Sequence, residues 1–270
     1  MVKKMIRIVI KLVMVLLVLT PLNLTAKEAS NITIFAESDM AKVLAEISRN
    51  YSKENNTIVS INLNSSSQLI NEIDSGEPAD VFISSHEDWI EMLKHKGLVD
   101  VYNISNIAKD KLVLVTSNKN TNIDLNNIKK LGDINKILKF ISKKETPIVI
   151  IIIDSEYTSL GRYSAKIIKD AKINDGNVYR DNDIYKKVEE DKRTVISLLE
   201  ENNNSCAIVL ASSLVNQKNI KIIADIPNLD IYYQALVIAG DDMKEARNFL
   251  KFLKSDKAKE IITRNGFIVD

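Results

Sequence analysis

From Asn31 onward, short runs of β-branched and aromatic residues alternate with stretches whose apolar positions recur at helical spacing. Ile32 to Phe35 reads as a strand, and Met40, Val43, Leu44, Ile47 and Tyr51 then fall at i, i+3, i+4, i+7 and i+11, one face of a helix. The pattern goes on to predict a strand at 57–63, a helix at 67–75 with Leu69, Ile70 and Ile73 inward, and a strand at Val81–Ile83. A helix at 86–95 and a strand at 111–116 follow. Strands that alternate with helices favour a parallel sheet covered by helices.

A second series starts mid-chain. Ile148 to Ile153 is an unbroken β-branched run, too uniform for a half-exposed strand and suited to one buried on both faces. After it the pattern predicts helices at 161–171 and 189–201, strands at 207–210, 220–224 and 231–238, and one last helix over 243–263. Two α/β lobes fit these series better than one. No internal repeat or low-complexity linker divides them. With 4 Pro and 7 Gly the boundaries are weakly punctuated, and the polar stretch Ser117 to Asn127 reads as a loop near the first crossing between lobes.

At 270 residues, 45% hydrophobic and 27% charged, the composition is that of a globular chain with a real core. Residues 1–26 stand apart. Lys3, Lys4 and Arg7 precede the apolar run Leu12 to Leu19, then come Pro21 and the small pair Thr25 and Ala26, the three-part pattern of a secretory signal peptide. The run is too short to span a bilayer, which takes about 20 apolar residues. Cleavage after Ala26 would remove four cations and no acid, moving the formal charge from +1 to −3. No basic surface then remains to suggest nucleic acid. The one cysteine, Cys206, lies far from that junction in an apolar segment. It reads as a buried, inert thiol, neither a lipidation site nor half of a disulfide. A periplasmic monomer that is not a lipoprotein is the expectation.

In open α/β sheets ligands bind beyond the carboxyl ends of the strands, where loops enter helix N-termini. Three such turns here, 35–39, 64–67 and 154–161, are rich in hydroxyls. Hydroxyl donors beside the unpaired N–H groups of a helix start can hold a small oxyanion without Lys or Arg. The same residues also suit plain N-caps. No Ser/His/Asp arrangement, phosphate loop or metal-ligand cluster stands out, so no catalytic residue, metal site or cofactor is expected. His86 and His95, nine apart at the ends of one helix, suit capping or surface roles, and Trp89 reads as packing. The clusters Glu189–Asp191 and Glu200–Glu201 read as solvated helix faces.

Phe35-Ala36 with its following helix, then Ser65, Ser66 and Ser67, then the segment Gly76 to Ser85 (GEPADVFISS) with Trp89 four residues on, resemble the N-terminal lobe of the periplasmic molybdate-binding proteins. Asp154, Gly161 and Tyr163, the run Leu198 to Glu201, and the ending from Phe252 to Phe267 are similar in order and spacing, so the resemblance spans 31–270. It implies a two-lobed type II periplasmic-binding fold, each lobe a mainly parallel sheet flanked by helices, with crossing hinge strands. One lobe would be 27–111 plus 231–270 and the other 112–230. It further implies molybdate or tungstate as transported ligand, an ABC permease and its ATPase as partners, and no enzymatic activity. Carried over by residue, the ligand serine of the second turn falls on Ser66 and backbone donors fall on Leu160 and Lys192.

Two positions depart from the family pattern. Its first-turn serine aligns with Asp39, Ser38 being one residue early, and its ligand tyrosine aligns with Leu210. A carboxylate about 4 Å from a dianion at an effective dielectric near 20 would be repelled by roughly 8 kcal/mol. Three solutions stay open: a slip that presents Ser38 and leaves Asp39 as N-cap of the helix, neutralisation of Asp39 by Lys192, or occupation of the anion seat by the carboxylate itself. In the last case the chain would be a divergent binding protein or sensor with another ligand.

Overall fold

The structure is a computed structural model that describes residues 29–142, 148–154, 156–172, 185–188, 192–240 and 243–269. The leader 1–26 and the acids 189–191 lie outside the described residues.

The first half begins with β1 (Ser30–Glu37), which runs through a short 3-10 turn (Ser38–Met40) into α1 (Ala41–Asn55). Then come β2 (Thr57–Asn64), α2 (Ser66–Asp74), β3 (Val81–Ser84) and α3 (Glu87–His95). The long strand β4 (Val99–Ser117) leads into the second half: α4 (Leu125–Leu131), α5 (Ile134–Ser142), β5 (Val149–Ile153), α6 (Ser159–Asp170), β6 (Tyr185–Val188), α7 (Lys192–Glu201) and β7 (Ser205–Leu210). A second long strand, β8 (Ile220–Ile238), returns the chain to the first half, where α8 (Lys244–Leu253) and α9 (Asp256–Arg264) finish it.

The eight strands are ordered β2-β1-β3-β8-β4-β7-β5-β6. Pairing is parallel at β2/β1/β3 and at β7/β5/β6, and antiparallel wherever β4 or β8 takes part. Each half is thus a mainly parallel sheet, and the two crossing strands join them. Register between β4 and β8 shifts at several points, one of them between Lys111 and Val113. Such bulges bend and twist a strand pair. The lobe boundary expected from the sequence falls at the Lys111–Asp230 pair, beside that shift.

Alternation along β1 builds two layers. Ile32, Ile34 and Ala36 pack in the main core with Met40, Val43, Leu44, Ile47 and Tyr51 of the turn and α1. Phe35 faces the other way, into a smaller core with Leu69, Ile70 and Ile73 of α2 and Trp89, Ile90 and Leu93 of α3. Burying a side chain of this size contributes about 1.5–3 kcal/mol. Tyr51 meets Phe249 and Phe252 edge-on, with ring centroids 5.1 and 5.2 Å away, which pins α8 to α1. Ile148 and Ile150–Ile153 are buried as the run predicted, and Cys206 is fully buried, with desolvation holding its thiol well above the usual range.

Several expected boundaries are corrected. The strands expected at 220–224 and 231–238 are one strand: Pro227 and the left-handed Asn228 (φ 60°) lie in a bulge rather than a break. The single helix expected over 243–263 is two, because Ser255 caps α9 by accepting the Ala258 N–H at 3.3 Å. The strand expected at 111–116 extends back to Val99. The stretch 117–127 is not a free loop. Asn120 is fully buried, donating to Thr116 Oγ1 at 2.8 Å and to the Ser205 carbonyl at 3.2 Å, and α4 already starts at Leu125. Helices α4 and α5 and strand β6 were not anticipated.

Candidate functional site: a carboxylate held by serines

β1 ends on Glu37, and that side chain defines the site. Although acidic, it is only 5% exposed. Its Oε1 accepts from the hydroxyls of Ser66 and Ser159, and from Ser84 Oγ at 3.3 Å. Its Oε2 accepts from Ser85 Oγ at 2.8 Å and from the Ser85 amide at 3.2 Å. Ser84 Oγ is also 3.0 Å from Ser66 Oγ, so the one Ser84 proton is shared between Glu37 and Ser66. All four serines are buried.

Each donor arrives at a strand end or a helix start. Ser66 opens α2, Ser84 closes β3 with Ser85 following it just before α3, and Ser159 opens α6. Helix starts carry unpaired N–H groups and partial positive charge, which favour an anion. Desolvating a carboxylate costs several kcal/mol. Hydrogen bonds to a charged group contribute about 1.5–3 kcal/mol each, so five donors at strand ends and helix starts offset that cost with neutral partners.

α6 is held close by Gly161. A Cβ there would strike the backbone carbonyl of Asp154, with the Asp154 carbon only 2.6 Å away. Thr158 caps the helix by accepting the Gly161 N–H at 3.0 Å. Further along, Tyr163 donates to the Ser85 carbonyl at 2.7 Å and stacks beside His86 at 4.7 Å between centroids. Burial and the nearby Glu37, Glu87 and Asp88 carboxylates push its phenol up to about 12, so it stays a donor. Arg162 lies over the Trp89 ring at 3.8 Å and pairs with Asp88 at 2.7 Å. Ser67 donates to the Tyr157 carbonyl at 3.3 Å. These contacts tie α6 in the second half to α2 and the β3–α3 junction in the first.

Of the site residues expected from the sequence, Ser66 and the α6 start bearing Leu160 meet at Glu37. Ser38 is exposed at the first position of the 3-10 turn. Asp39 is not the N-cap of α1, a position taken by Met40 without a side-chain bond; instead Asp39 Oδ2 accepts from Tyr233 Oη at 2.6 Å. Tyr233 is fully buried, and desolvation followed by Asp39, Asp110 and Glu37 raises its phenol well above the ordinary range. Lys192 opens α7; its side chain lies outside the described residues. Leu210 is 3% exposed, closes β7 within the main core, and its carbonyl accepts from Ser213 Oγ at 2.6 Å. Sequence reasoning placed a carboxylate in the seat only through Asp39, whereas Glu37, two residues earlier, is the one found there. Ser84, Ser85 and Ser159 also went unassigned, although all three lie in hydroxyl-rich strand ends or turns. Among the described residues no group of three or more His, Cys, Asp or Glu is placed to hold a metal, and no helix is long and apolar enough to cross a membrane.

Comparison with known proteins agrees with this architecture. The chain is 25% identical over 256 residues to the molybdate-binding protein ModA of Haemophilus influenzae, covering 93% of this chain and 95% of that one. It is 26% identical over 244 residues to a putative ABC transporter substrate-binding lipoprotein of Bacillus subtilis, covering 88% and 86%. Among solved structures, the periplasmic molybdate-binding protein of Azotobacter vinelandii superposes with a TM-score of 0.68 at 18% identity, covering 88% of this chain and 99% of that one. The substrate-binding domain of a putative molybdenum ABC transporter from Clostridium difficile gives 0.67 at 20% identity, covering 90% and 100%. At such identities the superpositions speak for the shared fold. These relatives are named as molybdate-binding or substrate-binding proteins. The family model for bacterial extracellular solute-binding proteins matches residues 32–268, and the chain belongs to that family.

Proposed function

We propose that this chain is the extracytoplasmic receptor of an ABC importer and that it carries a small tetrahedral oxyanion, molybdate or tungstate, in the seat formed by Ser66, Ser84, Ser85 and Ser159. The observation that carries this reading is the buried Glu37 carboxylate, held by four hydroxyls and an amide from both halves of the molecule. A cage of neutral donors aimed at one buried carboxylate supports the reading of an anion site. The kinship with molybdate-binding proteins supports the choice of solute. On this reading residues 1–26 are a cleaved export signal, the permease and its ATPase are the partners, and the lobes 27–111 plus 231–270 and 112–230 hinge on β4 and β8. Leu160 and Lys192 then supply backbone donors near the seat, while Ser38, Asp39 and Leu210 take no direct part in it.

Calorimetric titration of the protein lacking residues 1–26 with molybdate, tungstate and sulfate tests this. Saturable heat with molybdate or tungstate at one site is expected. Absence of heat with all three, in the natural protein and in Glu37→Ala alike, overturns it.

A further inference from the structure

Resting on that reading, we propose that Glu37 is a tethered competitor for the oxyanion seat and the residue that sets its affinity and selectivity. The seat is already filled by this side chain: both carboxylate oxygens are engaged, and every serine hydroxyl of the cage points at it or at its neighbour. A solute cannot take those donors while Glu37 keeps them, because each serine has one proton to give. Binding is therefore an exchange, and the carboxylate must leave as the solute enters.

The tether matters quantitatively. A group attached by two methylenes to a strand end acts at an effective concentration of millimolar or higher, so the apparent dissociation constant of any solute is raised by the occupancy of the internal anion. Weak anions that make no more bonds than a carboxylate cannot win this exchange. A tetrahedral dianion with four oxygens, able to use more donors at higher charge, can. The same side chain bridges the halves, because Ser159 lies on α6 and Ser66, Ser84 and Ser85 lie across from it. It thus holds the solute-free protein closed in the manner of a ligand.

The test compares the natural protein with Glu37→Ala and Glu37→Gln, each verified as folded by circular dichroism. Molybdate affinity is measured by calorimetry with and without acetate, and shape by small-angle X-ray scattering. Removing the competitor is expected to tighten molybdate binding at least tenfold in Glu37→Ala, with Glu37→Gln between. The solute-free Glu37→Ala protein should be expanded relative to the natural one, and either molybdate or acetate, a detached carboxylate, should contract it. Acetate should compete with molybdate in Glu37→Ala and have no effect on the natural protein. Molybdate binding that is equal or weaker in both variants, with unchanged solute-free scattering, overturns the competitor role and leaves the seat standing. Loss of oxyanion binding in all three proteins overturns the seat itself.

Discussion

His86 caps α3 with its ring. Nδ1 accepts the Asp88 amide at 3.2 Å, so that nitrogen carries no proton, and the 3.7 Å approach of the Asp88 carboxylate is not an ion pair while this bond lasts. Burial lowers the affinity of the ring for a second proton; Arg162 adds to this, and the Asp88, Glu37 and Glu87 carboxylates oppose it without prevailing. A histidine whose folded pKa lies below its unfolded value of 6.5 leaves stability intact above that pH and costs stability as pH falls through 6.5 toward the folded value. Urea midpoints should therefore fall as the pH drops below 6.5 in the natural protein, and His86→Asn, which keeps a capping side chain, should flatten that slope. A slope of equal size in the variant would assign it to other groups. At this scale the sequence revealed chemistry more readily than position. The hydroxyl-rich strand ends were plain in it, but Glu37 and Asp39 are two residues apart, and only the turn after β1 decides which carboxylate enters the cage. Asp39 is turned instead to Tyr233, a partner 194 positions away that no local pattern announces.

Helix α6 is the element that ties the proposed seat to the second half. Its first turn supplies Ser159 and Leu160, its second supplies Arg162 and Tyr163, and its approach to the end of β5 depends on the missing side chain at Gly161. Two effects oppose each other in Gly161→Ala. Alanine in a helix is intrinsically favoured by about 1 kcal/mol, whereas driving a methyl group into the Asp154 carbonyl forces a backbone shift of the kind that costs about 1–3 kcal/mol. The collision wins because the obstacle is backbone. The variant should melt about 2–6 °C lower and bind solute more weakly, since the shift carries Ser159 away from the seat; a melting point equal to or above the natural one would contradict this. Elements with strong periodicity, such as α1, and the uniform run of β5 were legible in advance. The joins were not. A Ser-Asp start inside an otherwise continuous amphipathic pattern split α8 from α9, and a proline that suggested a break in β8 was absorbed by a bulge.

At the scale of the molecule, α6 meets α3 through Arg162, which combines a stacked aromatic ring with a carboxylate. Asp88 is largely exposed, so that ion pair contributes little, and the contact with Trp89, of the kind worth about 0.5–2 kcal/mol, dominates. Arg162→Ala should weaken solute binding about fivefold while shifting the melting temperature by less than about 3 °C, because the contact bridges the two halves rather than supporting either core. Unchanged affinity would mean that it plays no part in closure. The two-faced α/β plan of the first half was legible because it follows from alternation within β1 and from helical spacing in α1. The meeting of Ser66 with Ser159 was not, because it depends on how β4 and β8 cross.

A cage of hydroxyls and amides satisfies an anion without cancelling its charge. If molybdate replaces Glu37 there, the loaded receptor is more negative than the empty one by the full charge of its cargo, and the displaced carboxylate adds a newly exposed acid. Loading would then appear as faster migration toward the anode on a native gel, and a transporter could distinguish full from empty receptors by electrostatic potential as well as by shape.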